Sequence, residues 1–179
     1  KIDKPDKETF QTLRMLLIHQ FTYVGAPHIW AGDEMGMWGA DDPSTRKPLT
    51  WPDYDFENET THPLGKQRPE NAVKFNDELF GFYKKLIGIR KANPVLSYGS
   101  LDFVVVDDEK NILVYSRFRD KNEVLAVFNN GKETRQIRIP VKTGKAYAVV
   151  TGTAKAEKSA NREINVKIPG RSAAIISNK

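Results

Sequence analysis

The sequence contains no cysteine, so disulfides and thiolate metal sites are excluded. No apolar run approaches the roughly 20 residues of a membrane span, and no membrane partner is expected. Low-complexity tracts and internal repeats are also missing. The three histidines, His19, His28 and His62, show no metal-ligand spacing, and the acids Asp33, Glu34, Asp41 and Asp42 match no calcium loop. Gly32, Gly36 and Gly39 do not form a dinucleotide fingerprint, and Gly131-Lys132 lacks the upstream glycine of a phosphate loop. No metal and no cofactor are therefore expected. No signal-peptide pattern opens the chain, whose first residue is Lys1 rather than Met, and the compartment stays open between cytoplasm and periplasm or secretion.

What is present fits an ordinary globular protein: 39% hydrophobic and 28% charged residues over 179 positions, enough for one domain or two small ones. The net charge of +5 is uneven. Residues 1–93 hold 13 basic against 14 acidic side chains, and residues 94–179 hold 15 against 9. The basic residues of the second half alternate along strand-like segments, as in Arg135-Gln136-Ile137-Arg138-Ile139, with no interleaved patch of exposed aromatics. That is the solvated face of a sheet, and no nucleic-acid partner is expected.

Residues 6–24 read as a helix, with Asp6 as cap, Glu8 at the positive end of the dipole, and Phe10, Leu13, Leu17, Phe21 and Val24 on one stripe. Met15, Leu16 and Ile18 widen that stripe. Ala26–Ala31 reads as a short strand that stops at Gly32. Residues 33–69 show no sustained periodicity, yet Trp38, Trp51, Tyr54 and Phe56 argue that they pack on something. A second helix is expected over 70–92, with Pro69 in its first turn and Asn93-Pro94 ending it. From residue 99 the period becomes two. Strands are expected at 101–106, 111–118, 123–128, 134–140, 145–151, 163–168 and 172–177, separated by turn residues such as Asn129-Asn130-Gly131-Lys132. Regularly spaced short strands indicate an antiparallel sandwich. The domain boundary falls near Asn93-Pro94, giving residues 1–93 and 94–179.

A short apolar strand handing over to a long loop rich in Gly, Asp and Trp is the pattern of a barrel strand entering an active-site loop. Gly32-Asp33-Glu34-Met35-Gly36-Met37, Asp42-Pro43-Ser44-Thr45-Arg46-Lys47-Pro48 and Leu86-Ile87-Gly88-Ile89-Arg90-Lys91-Ala92-Asn93-Pro94-Val95-Leu96 resemble, in this order, motifs of the α-amylase family of glycoside hydrolases, nearest its neopullulanase and cyclomaltodextrinase branch. Leu49 departs from the Met usual after Pro48, and Trp30-Ala31 from the usual aromatic pair before the glycine. The resemblance implies an α/β plus all-β fold: the C-terminal part of a (β/α)8 TIM barrel, comprising its last helices and eighth strand, followed by an antiparallel β-sandwich.

It also implies that the nucleophilic Asp, the acid/base Glu and a third Asp sit on earlier barrel strands. No catalytic residue is then expected here, and the missing N-terminal part of the same enzyme becomes a partner. The substrate implied is an α-glucan or maltooligosaccharide cleaved at α-1,4 or α-1,6 bonds with retention.

Asp42 and Arg46 are the expected substrate contacts, because a carboxylate and a guanidinium bind vicinal hydroxyls with little rearrangement. A local salt bridge is the competing reading of the same pair. Trp38 is a third candidate, by stacking on a pyranose face, while Trp51 is assigned to packing. Asp33 and Glu34 are adjacent, so they project in opposite directions and are read as scaffolding. The three histidines are read as structural, and Asn58-Glu59-Thr60 as a chance glycosylation triplet. For residues 95–179 two other roles are expected, a carbohydrate-binding sandwich or a stabilising cap. An isolated half-barrel also exposes apolar faces, so self-association is expected.

Overall fold

The computed structural model describes residues 3–39, 42, 44, 46–62, 64–158 and 162–178. Pro43 and Thr45 of the second motif, and Asp41 just before it, therefore lie outside the described residues. The element order is α1 (Lys7–Thr22), a 3-10 turn (Asp33–Met35), α2 (Asp77–Ala92), α3 (Val95–Tyr98), then β1 (Ser100–Asp107), β2 (Ile112–Arg119), β3 (Asn122–Asn129), β4 (Arg135–Pro140), β5 (Tyr147–Gly152), β6 (Lys155–Lys158), β7 (Glu163–Ile168) and β8 (Ser172–Asn178). No helix among the described residues is long and apolar enough to cross a membrane. The chain divides into two compact units, one of residues 1–8 and 28–85, the other of residues 9–27 and 86–179.

In the second unit the strands form two antiparallel sheets, β1-β2-β3-β8-β5 and β4-β7-β6. Their inner faces share one core: Ile112, Val114, Leu125, Val127 and Ile176 from the larger sheet, with Ile137, Ile139, Ile164, Val166 and Ile168 from the smaller. The alternation in sequence is what makes this possible, since residues two apart share a face. The seven expected strands are all present. β6 was not expected; its Lys-Ala-Glu-Lys sequence carries too little apolar signal, and a charged edge strand is a normal way to end a sheet.

The larger sheet has a second buried face. β3 is buried along nearly its whole length, and β2 along most of it. Tyr115 and Arg117 lie on the face opposite Val114, and α1 covers them. The Tyr115 hydroxyl shares a 2.6 Å hydrogen bond with Thr22 Oγ1, which itself reaches the Ile18 carbonyl at 2.6 Å. His19 packs against Tyr23, Tyr115 and Phe128, and burial lowers its pKa, consistent with the structural role read for it.

Arg117 is 1% exposed and faces no carboxylate in any bond it makes. Instead its guanidinium donates to four backbone carbonyls: Thr22 at 2.9 Å, Leu96 at 2.8 Å, Gly99 at 2.9 Å and Ser100 at 3.2 Å. Burial, and then the neighbouring Arg90, lower its pKa from the usual arginine value, and the group stays protonated. Arg90 donates to the carbonyls of Phe21, Tyr23 and Gly25. The last turn of a helix leaves carbonyls unpaired and carries partial negative charge, so two arginines at the end of α1 satisfy both needs.

Three differences from expectation stand out, two of them with a physical cause. Residues 26–30 form no strand, because a strand is held by ladder partners and none of the described residues supplies one. Leu16, read as part of the buried stripe, is 60% exposed. The second helix begins at Asp77 rather than 70. Glu59 and Asn71 exchange both backbone hydrogen bonds, 2.8 and 3.0 Å, which commits Asn71 to a β-bridge. Asn76 then caps the helix through Leu79 N at 3.0 Å, and Phe75 packs on Phe80 with ring centroids 5.1 Å apart, a hydrophobic staple.

Two predictions follow from the buried face. Arg117→Met should cost about 3 kcal/mol or more in urea unfolding, since it strands several carbonyls, and Arg117→Lys should recover only part of that. Burial pushes the Tyr115 phenol up to about 12, outweighing the Thr22 bond and the Arg117 charge that act the other way. A raised acid pKa favours the protonated folded form. Its contribution, about 2 to 3 kcal/mol, should be intact below pH 10 and lost as pH climbs from 10 through 12. Circular dichroism across that range should show a shallower loss in Tyr115→Phe.

Candidate functional site

The first unit has little regular structure, and specific residues set the course of its backbone. Gly32 and Gly36 both adopt left-handed φ, 103° and 76°, on either side of the 3-10 turn. The N–H of Met37 returns to the Gly32 carbonyl at 3.1 Å, and the Gly32 N–H donates to Glu34 Oε2 at 3.0 Å. A Cβ at Gly32 would meet Met37 Sδ at 2.6 Å, and one at Gly36 would meet Asn76 Cβ at 2.8 Å. Asn76 N donates in turn to the Met35 carbonyl at 3.0 Å. The Gly-Asp-Glu-Met-Gly motif is thus a tight turn seated on the cap of α2.

Glu34 spends one oxygen on its own turn, in line with a scaffolding role. Partial loss of water, then the Glu34 charge, raise the Asp33 pKa, with His28 opposing, although Asp33 keeps part of its surface in solvent. Tyr83, buried on α2, is pushed up to about 12 by burial first and by Asp33 and Glu34 next. These acids face a phenol that remains neutral in the physiological range.

Asp42 and Arg46 are brought together. Arg46 Nε lies 2.6 Å from Asp42 Oδ1, and the two side chains are 62% and 78% exposed for Asp42 and Arg46 respectively. The pair is therefore a solvent-facing carboxylate and guanidinium side by side. Trp38 is half-buried, with the ammonium groups of Lys4 and Lys47 over its ring at 5.3 and 5.6 Å from the centroid. Its π-face is engaged by cations. Trp51 is exposed rather than packed, as are Trp30 and Tyr54.

An ion cluster that sequence reasoning missed holds the loop closed. Glu59 Oε1 takes Lys47 Nζ at 2.5 Å and Arg68 Nη1 at 3.3 Å, and Lys47 also donates to the Trp38 carbonyl at 2.8 Å. Glu59 is also the residue of the β-bridge to Asn71. Charged residues scattered through an aperiodic loop give no spacing signal. Asn58 donates to Glu70, and His62 accepts from the Leu64 N–H at 3.0 Å, both local structural bonds. Among the described residues no group of three or more His, Asp or Glu is arranged to hold a metal ion.

Residues 2–99 match the α-amylase catalytic domain and residues 103–179 the α-amylase C-terminal all-β domain. The chain belongs to the α-amylase family. It is 33% identical over 152 residues to a cyclomaltodextrinase from Thermoanaerobacter pseudethanolicus, covering 80% of this chain and 23% of the relative. Neopullulanase 2 of Thermoactinomyces vulgaris is 31% identical over 156 residues, covering 82% of this chain and 23% of the relative. A cyclomaltodextrinase from Geobacillus thermopakistaniensis is 32% identical over 129 residues, covering 72% and 19%. The chain thus spans about a fifth to a quarter of the length of these curated relatives.

Solved structures agree on the fold. A cyclomaltodextrinase superposes with TM-score 0.73 at 23% identity, over 97% of this chain and 26% of that one. The debranching enzyme from Nostoc punctiforme gives 0.72 at 21% identity, over 94% and 31%. The family chain therefore carries the end of the barrel and the all-β domain, the fold class anticipated from its motifs.

The turn geometry predicts opposite outcomes for two glycines. Gly36→Ala imposes a strained φ and displaces Asn76, and should lower stability by about 2 kcal/mol. Gly81, exposed in the middle of α2 with open space around its Cβ, should tolerate Ala and gain about 0.5 to 1 kcal/mol. Thermal melts of the two variants check both signs.

Proposed function

We propose that the chain supplies one wall of the glucan-binding cleft and the C-terminal sandwich of a retaining α-glucan hydrolase acting on α-1,4 or α-1,6 bonds. The observation that carries the reading is the match of residues 2–99 to the family's catalytic domain, combined with the state of the acids there. Glu34, Asp42, Glu59 and Glu70 are each bonded to a donor within this chain. A retaining glycosidase needs two carboxyl groups about 5 Å apart on opposite sides of the scissile bond. In this proposal those groups come from chain outside this sequence, and hydrolysis proceeds through a covalent glucosyl–enzyme intermediate.

Residues 1–93 would be the closing part of the barrel and residues 94–179 the sandwich. Relatives named cyclomaltodextrinase and neopullulanase support a maltooligosaccharide, cyclodextrin or pullulan substrate. Asp42 and Arg46 would bind the sugar hydroxyls, which the exposed, adjacent placement of the two groups supports. A carbohydrate-binding role for the sandwich draws less support. Of the strand aromatics, Phe103 is 57% exposed while Tyr115 and Phe128 are buried, which favours a cap that stabilises the barrel.

Purified chain incubated with maltoheptaose or pullulan should release no reducing sugar, and measurable turnover would overturn the reading. Titration calorimetry with maltooligosaccharides should show binding that weakens about tenfold in Asp42→Ala and in Arg46→Ala, or about 1.4 kcal/mol each. Unchanged affinity in both variants would remove the pair from the cleft.

A further inference from the structure

Asn130 is the one asparagine of this chain that is followed by glycine. It lies in the turn between β3 and β4, exposed to solvent and apart from the site described above. Its backbone N–H donates to the Asn111 carbonyl at 2.9 Å. Its side-chain oxygen accepts from Arg171 Nη1 at 2.6 Å. A guanidinium can only donate, so the amide carbonyl and not the NH2 faces the cation.

The following residue is closely held. Gly131 N–H donates to Asn129 Oδ1 at 3.0 Å, and the Gly131 carbonyl accepts from the Arg171 N–H at 2.8 Å. A Cβ at Gly131 would lie 3.1 Å from Asn129 Oδ1 and 3.2 Å from the Lys110 carbonyl oxygen. One at Gly170 would lie 2.0 Å from the Lys132 carbonyl oxygen. The turn before β4 and the turn before β8 are thus fitted to each other without slack.

We propose that Asn130 is a site of spontaneous deamidation, in which the Gly131 nitrogen attacks the Asn130 side-chain carbon while Arg171 steadies its oxygen. The bond from Gly131 N to Asn130 Cγ forms, the Cγ–Nδ2 bond breaks, and the Gly131 proton leaves with the amide nitrogen as ammonia. Glycine favours this step because no Cβ crowds the attacking nitrogen. Negative charge gathers on Oδ1 as the ring closes, where a donor already in place lowers the barrier. The Gly131–Asn129 bond has to open first, and local opening of an exposed turn allows that. Water then opens the cyclic imide at either carbonyl. One opening leaves aspartate, whose carboxylate keeps the bond to Arg171 as an ion pair. The other leaves isoaspartate, which lengthens the backbone by one carbon inside a turn pinned to Asn111, Asn129 and Arg171.

The test is to age the full chain for weeks at mildly alkaline pH, then to map its peptides by mass spectrometry and to methylate isoaspartate enzymatically. Asn130 should convert before any other asparagine, and faster as pH rises, because the attacking nitrogen must give up its proton. Gly131→Ala should slow conversion about tenfold. Arg171→Met keeps the backbone bonds of residue 171 to Gly131 and Gln11. It should slow conversion about fivefold, the worth of one hydrogen bond that strengthens as the ring closes. In concentrated urea, where that bond is gone, the unaltered chain and Arg171→Met should convert at equal rates. Thermal melts should show the isoaspartate fraction less stable than Asn130→Asp, and circular dichroism identifies any variant that fails to fold. Earlier conversion of another asparagine overturns the proposal. So does Arg171→Met converting as fast as the unaltered chain in native buffer, or a difference between the two that persists in urea.

Discussion

The capture of α1's unpaired carbonyls by two arginines is the constraint on which the second unit depends. A helix ending inside a protein leaves carbonyls that water can no longer reach. Arg117 takes the buried Thr22 carbonyl and Arg90 the part-buried one of Phe21, together with those of Tyr23 and the exposed Gly25 just past the helix. Burying a guanidinium without a carboxylate is costly unless its donors are spent. Four bonds to carbonyls, three of them at 2.9 Å or less, meet that condition. A lysine offers three donors around a point and cannot reach carbonyls contributed by α1, α3 and the start of β1 at once. Because α1 is held there, β2 and β3 can be apolar on both faces, one against the smaller sheet and one against the helix.

The first unit solves a similar problem with less regular structure. A loop without ladders has to satisfy its backbone by other means. Here it uses glycines at left-handed φ, a capping asparagine that also donates its N–H to the turn's Met35 carbonyl, and one carboxylate, Glu59, that draws Lys47 and Arg68 into the same place. The long polar loop is therefore built, not slack, and its two tryptophan-bearing segments differ: Trp38 lies under two ammonium groups while Trp51 faces solvent.

Legibility followed the physics of each element. The sandwich strands could be read because alternation and turn chemistry both mark them: Asn129 Oδ1 accepts from the Gly131 N–H at 3.0 Å where Asn129-Asn130-Gly131-Lys132 was read as a turn. The start of α2 was misplaced because Val73 and Phe75 mimic helical spacing, while the decisive signals were local, an Asn76 cap and the Phe75–Phe80 staple. The role of Arg90 was hidden inside a recognisable motif, since its partners are carbonyls 65 to 69 residues away. The bonds of Glu59 to Lys47 and Arg68 carry no sequence signature at all, because they exist only once the loop has closed.

The Asp42–Arg46 pair shows why adjacency alone does not decide between a structural and a binding role. Exposed ion pairs contribute about 0 to 1 kcal/mol to stability, so this one holds little of the loop in place. Under the proposed function the same weakness suits the pair to neutral hydroxyls: a diol would donate to the carboxylate and accept from the guanidinium without removing a bond on which the fold relies. Glu59 is the opposite case. Its contacts with Lys47 and Arg68 tie three separated stretches of chain together, so removing it would release the loop at all three. The division of labour between the two carboxylates follows from how much backbone each one holds.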